Sequence, residues 1–392
     1  MTTTTPPQAS RTTGRRAKGR PATTSGSAEQ VPTAPDEALL ADRTATQRSS
    51  LDSRVTAEDP DTLRKLYRDM LFVRRFEERT AQSYQQAKIG GYCHLNLGEE
   101  ATVVGLGAAM RRTDYLFTNY REHGYALAKG IAPGRVMAEL YGRSTGTSKG
   151  WGGSMHMYDT QTRLLGGYAI VGGQVPLAIG AALAIDYRGD DDVVVCQMGE
   201  GTTNIGAFHE SLNLAALWNL PIVFLVINNH TGMGTSVEKS SAEPDLWKRA
   251  AAYRMRGVRV DGTDVLAVRD TASELIETAR REGKPALLEA VSHRLKGHSV
   301  VDPAKYRTEE AVATARSHDP IELWQRALLK AGALTEDSAA AMDSEIRAEV
   351  AEAVEFADAG PHPEPSSLFD YNYATPVPGD SRRLPADPLF TT

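Results

Sequence analysis

The sequence predicts an α/β fold, a parallel sheet flanked by helices with a mostly helical C-terminal part, and three observations carry that prediction. Two short apolar runs, Val193 to Met198 and Pro221 to Ile227, hold few polar residues, as strands covered on both faces do. The segment between them, Ile205 to Asn219, reads as a crossover helix, so the three pieces form a βαβ unit. Each strand closes in a polar turn, Gly199-Glu200-Gly201 and Asn228-Asn229, and the unit brings both turns to one sheet edge. In parallel α/β sheets ligands bind at that edge.

A carboxylate and an amide oxygen brought together there are hard ligands suited to Mg²⁺ or Ca²⁺, with room left for phosphate oxygens and water. The N-terminus of the crossover helix adds a favourable dipole, so a metal-bridged diphosphate is the chemistry implied. The commoner phosphate signatures fail. Asn204 stands where a dinucleotide fingerprint needs its third glycine, and no G-x-x-x-x-G-K-[ST] run occurs. His209-Glu210 does not extend to a zinc H-E-x-x-H motif, because Asn213 occupies the second histidine position.

Composition narrows the function classes. With 392 residues, 41% hydrophobic and 24% charged, the chain can bury one large core. A net charge of −6, with bases and acids interleaved in the folded region, offers no nucleic-acid or anionic-membrane face. No apolar run is long enough to span a bilayer or to make a secretory signal. Two cysteines, Cys93 and Cys196, give no disulfide framework and read as packing residues of a reducing compartment.

Residues 1–55, rich in Thr, Ser, Ala and Pro, read as a disordered basic tail, since so few apolar groups cannot repay the entropy of folding. Its Arg-rich, acid-poor start is similar to a mitochondrial transit peptide but lacks amphipathic leucines, which favours a cytoplasmic protein over one of the mitochondrial matrix. Residues 56–360 read as one domain, with a core over 90–316 and a helical part over 317–360. Asp59-Pro60 is an N-cap with a first-turn proline, and Leu63, Leu66, Tyr67, Met70, Val73 and Phe76 share one helical face. Asp319-Pro320 starts the C-terminal helices in the same way. The helix from Gln174 to Tyr187 is rich in small residues, a face for close helix approach in the core rather than at a subunit contact. Residues 361–392, dense in proline, read as an extended tail.

Six ordered blocks between Leu66 and Arg307 carry a resemblance. They are Gly91-Tyr92-Cys93-His94-Leu95 with Gly98-Glu99-Glu100-Ala101; Tyr120-Arg121-Glu122-His123-Gly124; Lys149 to Met157; Ile170-Val171-Gly172-Gly173-Gln174-Val175-Pro176-Leu177; Gly232-Met233-Gly234-Thr235-Ser236-Val237-Glu238; and Gly297-His298-Ser299 with Asp302-Pro303. Together they resemble thiamine-diphosphate enzymes of transketolase-like fold, and within them the α subunits of the E1 components of 2-oxoacid dehydrogenases. The runs from Lys149 and from Gly232 are most similar to the pyruvate branch.

The resemblance implies oxidative decarboxylation of pyruvate and acetyl transfer to a lipoyl group, with thiamine diphosphate and Mg²⁺ as cofactors. It implies that Tyr120 and Arg121 hold the phosphates, and that Ala169 and Val171 flank the aminopyrimidine. Glu200 with Gly201 and Thr202, Asn229 and His298 would complete the cofactor site. Glu200, Asn229 and the backbone carbonyl of Thr231 would take the metal, and His94 and His298 would move protons. Three positions depart from the family pattern. Glu200 replaces the usual Asp, so its extra methylene must be absorbed by a rotamer change or by bidentate or water-mediated ligation. Ile205 stands where Gln is frequent, and Lys296 where a histidine precedes Gly-His-Ser.

The resemblance also implies partners. The glutamate that acts on the cofactor's pyrimidine ring belongs to a separate E1 β subunit, so an α₂β₂ assembly and a lipoylated E2 acyltransferase are expected. Ser299 matches a phosphorylation position of eukaryotic relatives. The rival readings are a branched-chain 2-oxoacid or acetoin E1 α subunit, and a non-catalytic paralogue that pairs with β subunits as a scaffold.

Overall fold

The computed structural model describes residues 51–368 and Asp370, so most of the two expected tails lies outside the described residues. The chain enters through α1 (Leu51–Ala57) and α2 (Pro60–Gln85). As the sequence predicts, Asp59 caps α2 by accepting from Thr62 N at 2.9 Å, and all six residues of the expected apolar face are buried. The helix α1 lies ahead of the expected start. It is held because Val55 is buried in the core and Arg54 pairs with Asp264 at 2.5 Å.

The order then runs α3 (Glu100–Ala109), β1 (Tyr115–Asn119), α4 (His123–Ala128), α5 (Pro133–Leu140), β2 (Leu164–Tyr168), α6 (Gln174–Arg188), β3 (Val194–Gly199), α7 (Gly206–Trp218) and β4 (Ile222–Asn228). A small hairpin of β5 (Thr231–Gly232) and β6 (Thr235–Ser236) leads into α8 (Val237–Ser240). After β7 (Arg256–Asp261), α9 (Val265–Glu282) and β8 (Ala286–Val291), the chain ends in α10 (Glu309–Ser317), α11 (Pro320–Lys330) and α12 (Glu336–Ala359).

Six strands form one parallel sheet in the order β2-β1-β3-β4-β8-β7. Along β4, Ile222, Phe224 and Val226 face one core and Val223, Leu225 and Ile227 the other, so apolar side chains on both faces explain the unbroken apolar run. The β1-to-β2 connection and the β3-to-β4 connection leave the centre in opposite directions, which opens a crevice between β1 and β3 at the C-terminal strand ends.

The small-residue helix α6 packs its small face in the core, as its sequence predicts. Ala178 and Ala182 are fully buried against the sheet, whereas Leu177, Leu183 and Tyr187 on the opposite face are exposed, Tyr187 at 90%. The segment from 142 to 153 is organised by one buried carboxylate. Glu139 accepts from the backbone amides of Ser148, Gly150, Gly152 and Gly153 at 2.7, 2.9, 2.8 and 3.0 Å.

C-terminal helices dock through Arg74 on α2. Its guanidinium meets Glu100 at 2.6 Å and both oxygens of Asp319 at 2.9 and 3.0 Å, and Asp319 also caps α11 by accepting from Ile321 N. Gly98 turns the chain before α3 at φ +97°, and a Cβ there would lie 2.0 Å from the carbonyl oxygen of His293. That close approach brings the 93–99 segment against the loop after β8.

Candidate active site

The turns after β1, β2, β3, β4 and β8 enclose a cavity of about 560 Å³ at the switch point. All eleven residues expected in the site line it: His94, Tyr120, Arg121, Ala169, Val171, Glu200, Gly201, Thr202, Asn229, Thr231 and His298. Positions 94 to 298 converge only because the parallel sheet delivers every strand end to one edge. A separate cavity of about 440 Å³ between α2, α3 and α4, lined by Lys65, Phe72 and Ile131 among others, holds none of them.

Three rings form one wall. His94 lies 4.5 Å from Tyr120 and 5.1 Å from His298, centroid to centroid, and Tyr120 lies 5.7 Å from His298. The Nδ1 atom of His94 is buried without a hydrogen-bond partner. Burial first, and then the charge of Arg121, pushes the His94 pKa down to about 3. The same causes, with Arg294 added, take His298 down to about 4. At neutral pH both imidazoles are uncharged.

These shifts give the fold an acid limit. His94, His298 and also His293, which burial and its neighbours His230 and His318 lower to about 4, stay neutral in the native chain well below their ordinary value of 6.5. Between about pH 6.5 and 4 the unfolded chain binds protons at these positions that the native chain does not, so their contribution to stability falls as pH is lowered through that window. Burial raises the pKa of Glu100, Glu122 and Glu200, which pulls the other way, so the check is made on the rings themselves: their ¹⁵N signals are expected to stay in the neutral form at pH 5, and charged signals there would show these imidazoles protonating freely in the fold.

The expected metal set lines the same cavity. Glu200 is 6% exposed, makes no ion pair within 4 Å among the described residues, and has its pKa raised by burial. The Oδ1 atom of Asn229 is buried and unpartnered, while its Nδ2 donates to Glu99 at 3.5 Å. Gly232 leaves space beside the carboxylate, since a Cβ there would come within 3.3 Å of Glu200 Oε1. A buried carboxylate and an orphaned amide oxygen fit a hard divalent cation. Among the described residues no three His, Cys, Asp or Glu side chains form a metal cluster, so such an ion would draw its other ligands from backbone, phosphate and water.

Two expected donors are partly spent within the protein. Arg121 donates to the carbonyls of Leu95 and His298 and lies 3.6 Å from Glu99, so it braces the His94 and His298 segments as well as lining the cavity. The carbonyl of Thr231 accepts from Arg294 at 3.3 Å.

Arg294, Glu99, Asn119 and Gln197 also line the cavity and carry no role in the sequence reading. Glu99 stands in the Gly98-Glu99-Glu100-Ala101 run, beside Glu100, which turns inward to Arg74. Arg294 had a weaker signal, four residues before His298. Gln197 lies within an apolar strand, and its Oε1 accepts from Asn119 N at 3.0 Å, a pairing that only the β1–β3 neighbourhood reveals.

The remaining chemistry-bearing residues are structural. His123, fully buried, lies between Glu77 at 3.0 Å and Ser154 Oγ at 2.8 Å, an order of groups known from hydrolases, yet Ser154 is 4% exposed and lines no described cavity. His156 bonds the Gly167 carbonyl. Both cysteines are buried free thiols, and burial lifts both pKa values, Cys93 to about 12. No helix among the described residues is long and apolar enough to cross a membrane.

Comparison with known proteins gives the family. The family model described as dehydrogenase E1 component matches residues 68–366. The pyruvate dehydrogenase E1 component subunit alpha of Rhizobium meliloti (strain 1021) is 46% identical over 306 residues, covering 78% of this chain and 88% of the relative. Its namesake in Zymomonas mobilis is 43% identical over 313 residues, covering 79% and 88%. The chloroplastic subunit alpha-3 of Arabidopsis thaliana is 40% identical over 337 residues, covering 83% and 79%. With the family match running through every strand of the sheet and every wall of the cavity, the chain belongs to the dehydrogenase E1 component family.

Proposed function

We infer that this chain is the α subunit of a pyruvate dehydrogenase E1 component, which decarboxylates pyruvate and passes the acetyl group to a lipoyl carrier. The observation that carries the reading is the convergence of all eleven expected residues on one cavity at the sheet's switch point. The names of the relatives support pyruvate as the 2-oxoacid.

The donor set fits thiamine diphosphate with Mg²⁺. Glu200, Asn229 and the Thr231 carbonyl would hold the metal; Tyr120, Arg121 and His298 would meet the diphosphate; Ala169 and Val171 would border the aminopyrimidine. When bound, this cofactor supplies the electron sink that lets a 2-oxoacid lose carbon dioxide. His94, neutral and with an unpartnered Nδ1, exchanges a proton with the group that enters beside it. Tyr120 and His298 pack against its ring and fix its direction.

An apolar rim supports closure by a second chain. Tyr92, Ile170, Val171 and Met233 are exposed at 64%, 77%, 45% and 62%, around or beside the cavity, and the open face of α6 continues the surface. An E1 β subunit would cover it and exclude water, and a lipoylated E2 would receive the product. The site needs no part of the chain that crosses a membrane.

Calorimetric titration of thiamine diphosphate with Mg²⁺ into the chain co-expressed with its candidate β subunit is expected to give saturable heat. Ferricyanide reduction is expected to be faster on pyruvate than on 2-oxoisovalerate or acetoin. An absence of saturable binding overturns the cofactor assignment in favour of a scaffold; activity confined to the other two substrates overturns the choice of pyruvate.

A further inference from the structure

His298 has two ring nitrogens, and which one bears the proton decides whether it gives or takes a hydrogen bond at the cavity. The surrounding loop settles this through groups outside the assigned site. A guanidinium has only N–H donors and no acceptor. Arg294 Nη1, which also donates to the Thr231 carbonyl at 3.3 Å, lies 3.4 Å from His298 Nδ1, a contact that calls on Nδ1 for its lone pair. A neutral imidazole carries a single proton, which is thereby left to Nε2.

Arg294 is held in this orientation by a closed ring of bonds. Its Nη2 donates to the Tyr306 hydroxyl at 3.0 Å, Tyr306 donates to Asp302 Oδ2 at 2.7 Å, and the same Asp302 oxygen accepts from the backbone N–H of His298 at 2.7 Å. The ring starts and ends on the residue it orients. Arg294 is 6% exposed, and its guanidinium is shared among the Thr231 carbonyl, His298 and Tyr306. The loop is closely packed here, since a Cβ on Gly297 would fall 2.3 Å from the Asp302 carbonyl oxygen. Arg307 ties it from outside by donating to the Arg294 carbonyl at 2.9 Å.

We propose that Arg294, Tyr306 and Asp302 are positioning residues that lock His298 as its Nε2–H tautomer, so that His298 acts as a hydrogen-bond donor and leaves proton exchange to His94. The groups that face His298 are His94, Tyr120, Arg121, Arg294 and Asp302, and the two arginines oppose a second proton on its ring. What the donor addresses rests on the thiamine-diphosphate reading above. The tautomer does not.

The test is long-range ¹H–¹⁵N correlation on the full chain labelled at histidine, at pH 7 without cofactor or substrate. His298→Gln assigns the signal by its loss among nine histidines. The wild-type chain is expected to show His298 as Nε2–H alone. Tyr306→Phe removes the hydroxyl that steadies Arg294, and Arg294→Met removes the donor itself; each is expected to give a mixture of both tautomers while the other histidine signals report an intact fold. An Nδ1–H signature in the wild-type chain overturns the proposal, as does an unchanged signature in Arg294→Met. Neither result bears on cofactor binding, so failure here and failure of the cofactor assignment are told apart.

Discussion

Replacing Arg74 by alanine is expected to destabilise the chain by about 3–5 kcal/mol, read as a lower urea midpoint. Arg74 is the only cation in ion-pair contact with two buried carboxylates, Glu100 at 0% exposure and Asp319 at 8%, among the described ion pairs. Deleting it leaves both without a cationic partner in a place where water cannot replace the guanidinium. Burial already raises the pKa of Glu100, so the variant should take up a proton there rather than keep a bare charge. Since Asp319 also caps α11, the C-terminal helices should loosen first. A double variant, Arg74→Met with Glu100→Leu, removes one unpaired charge and should recover part of the loss. A midpoint unchanged in Arg74→Ala would show that apolar packing alone docks those helices.

The second large effect concerns turnover. With the β subunit and cofactor present, His94→Ala is expected to lower kcat by about 10²–10⁴-fold, the range over which a positioned proton donor or acceptor contributes. The argument rests on the unpartnered Nδ1 and on a ring held between Tyr120 and His298. Cofactor affinity should be nearly unchanged, because the proposed metal and phosphate donors are other residues. Calorimetry and steady-state rates on the same preparation separate the two. A variant that binds cofactor and turns over at the wild-type rate removes His94 from the chemistry.

What the sequence made legible follows from local physics. Asp59-Pro60 and Asp319-Pro320 announce helix starts because an N-cap and a proline at the first turn satisfy or remove the same orphan amides. The strands Val194–Gly199 and Ile222–Asn228 show as apolar runs because both faces are covered. The residues of the cavity were legible through block resemblance and through Glu200 and Asn229 at two successive strand ends. Arg294 and Gln197 were not, since their partners lie on neighbours that only the strand order brings close. Helix α1 was hidden for the same reason. Its segment is polar, and its single buried anchor, Val55, gives no period to read.

One carboxylate has a wider consequence for how this protein can change over time. Glu139 holds the 148–153 segment through four main-chain amides and through none of its side chains. Those bonds ask only for main-chain hydrogens, which proline alone cannot offer. Three of the four donors are nevertheless held as glycine by their surroundings: a Cβ at position 150 would lie 2.7 Å from the Gly142 backbone, one at position 152 would lie 2.0 Å from the His156 carbonyl oxygen, and Gly153 sits at φ +60°. Loss of Glu139 itself would release the whole stretch at once, and with it Met155, which forms part of the cavity wall.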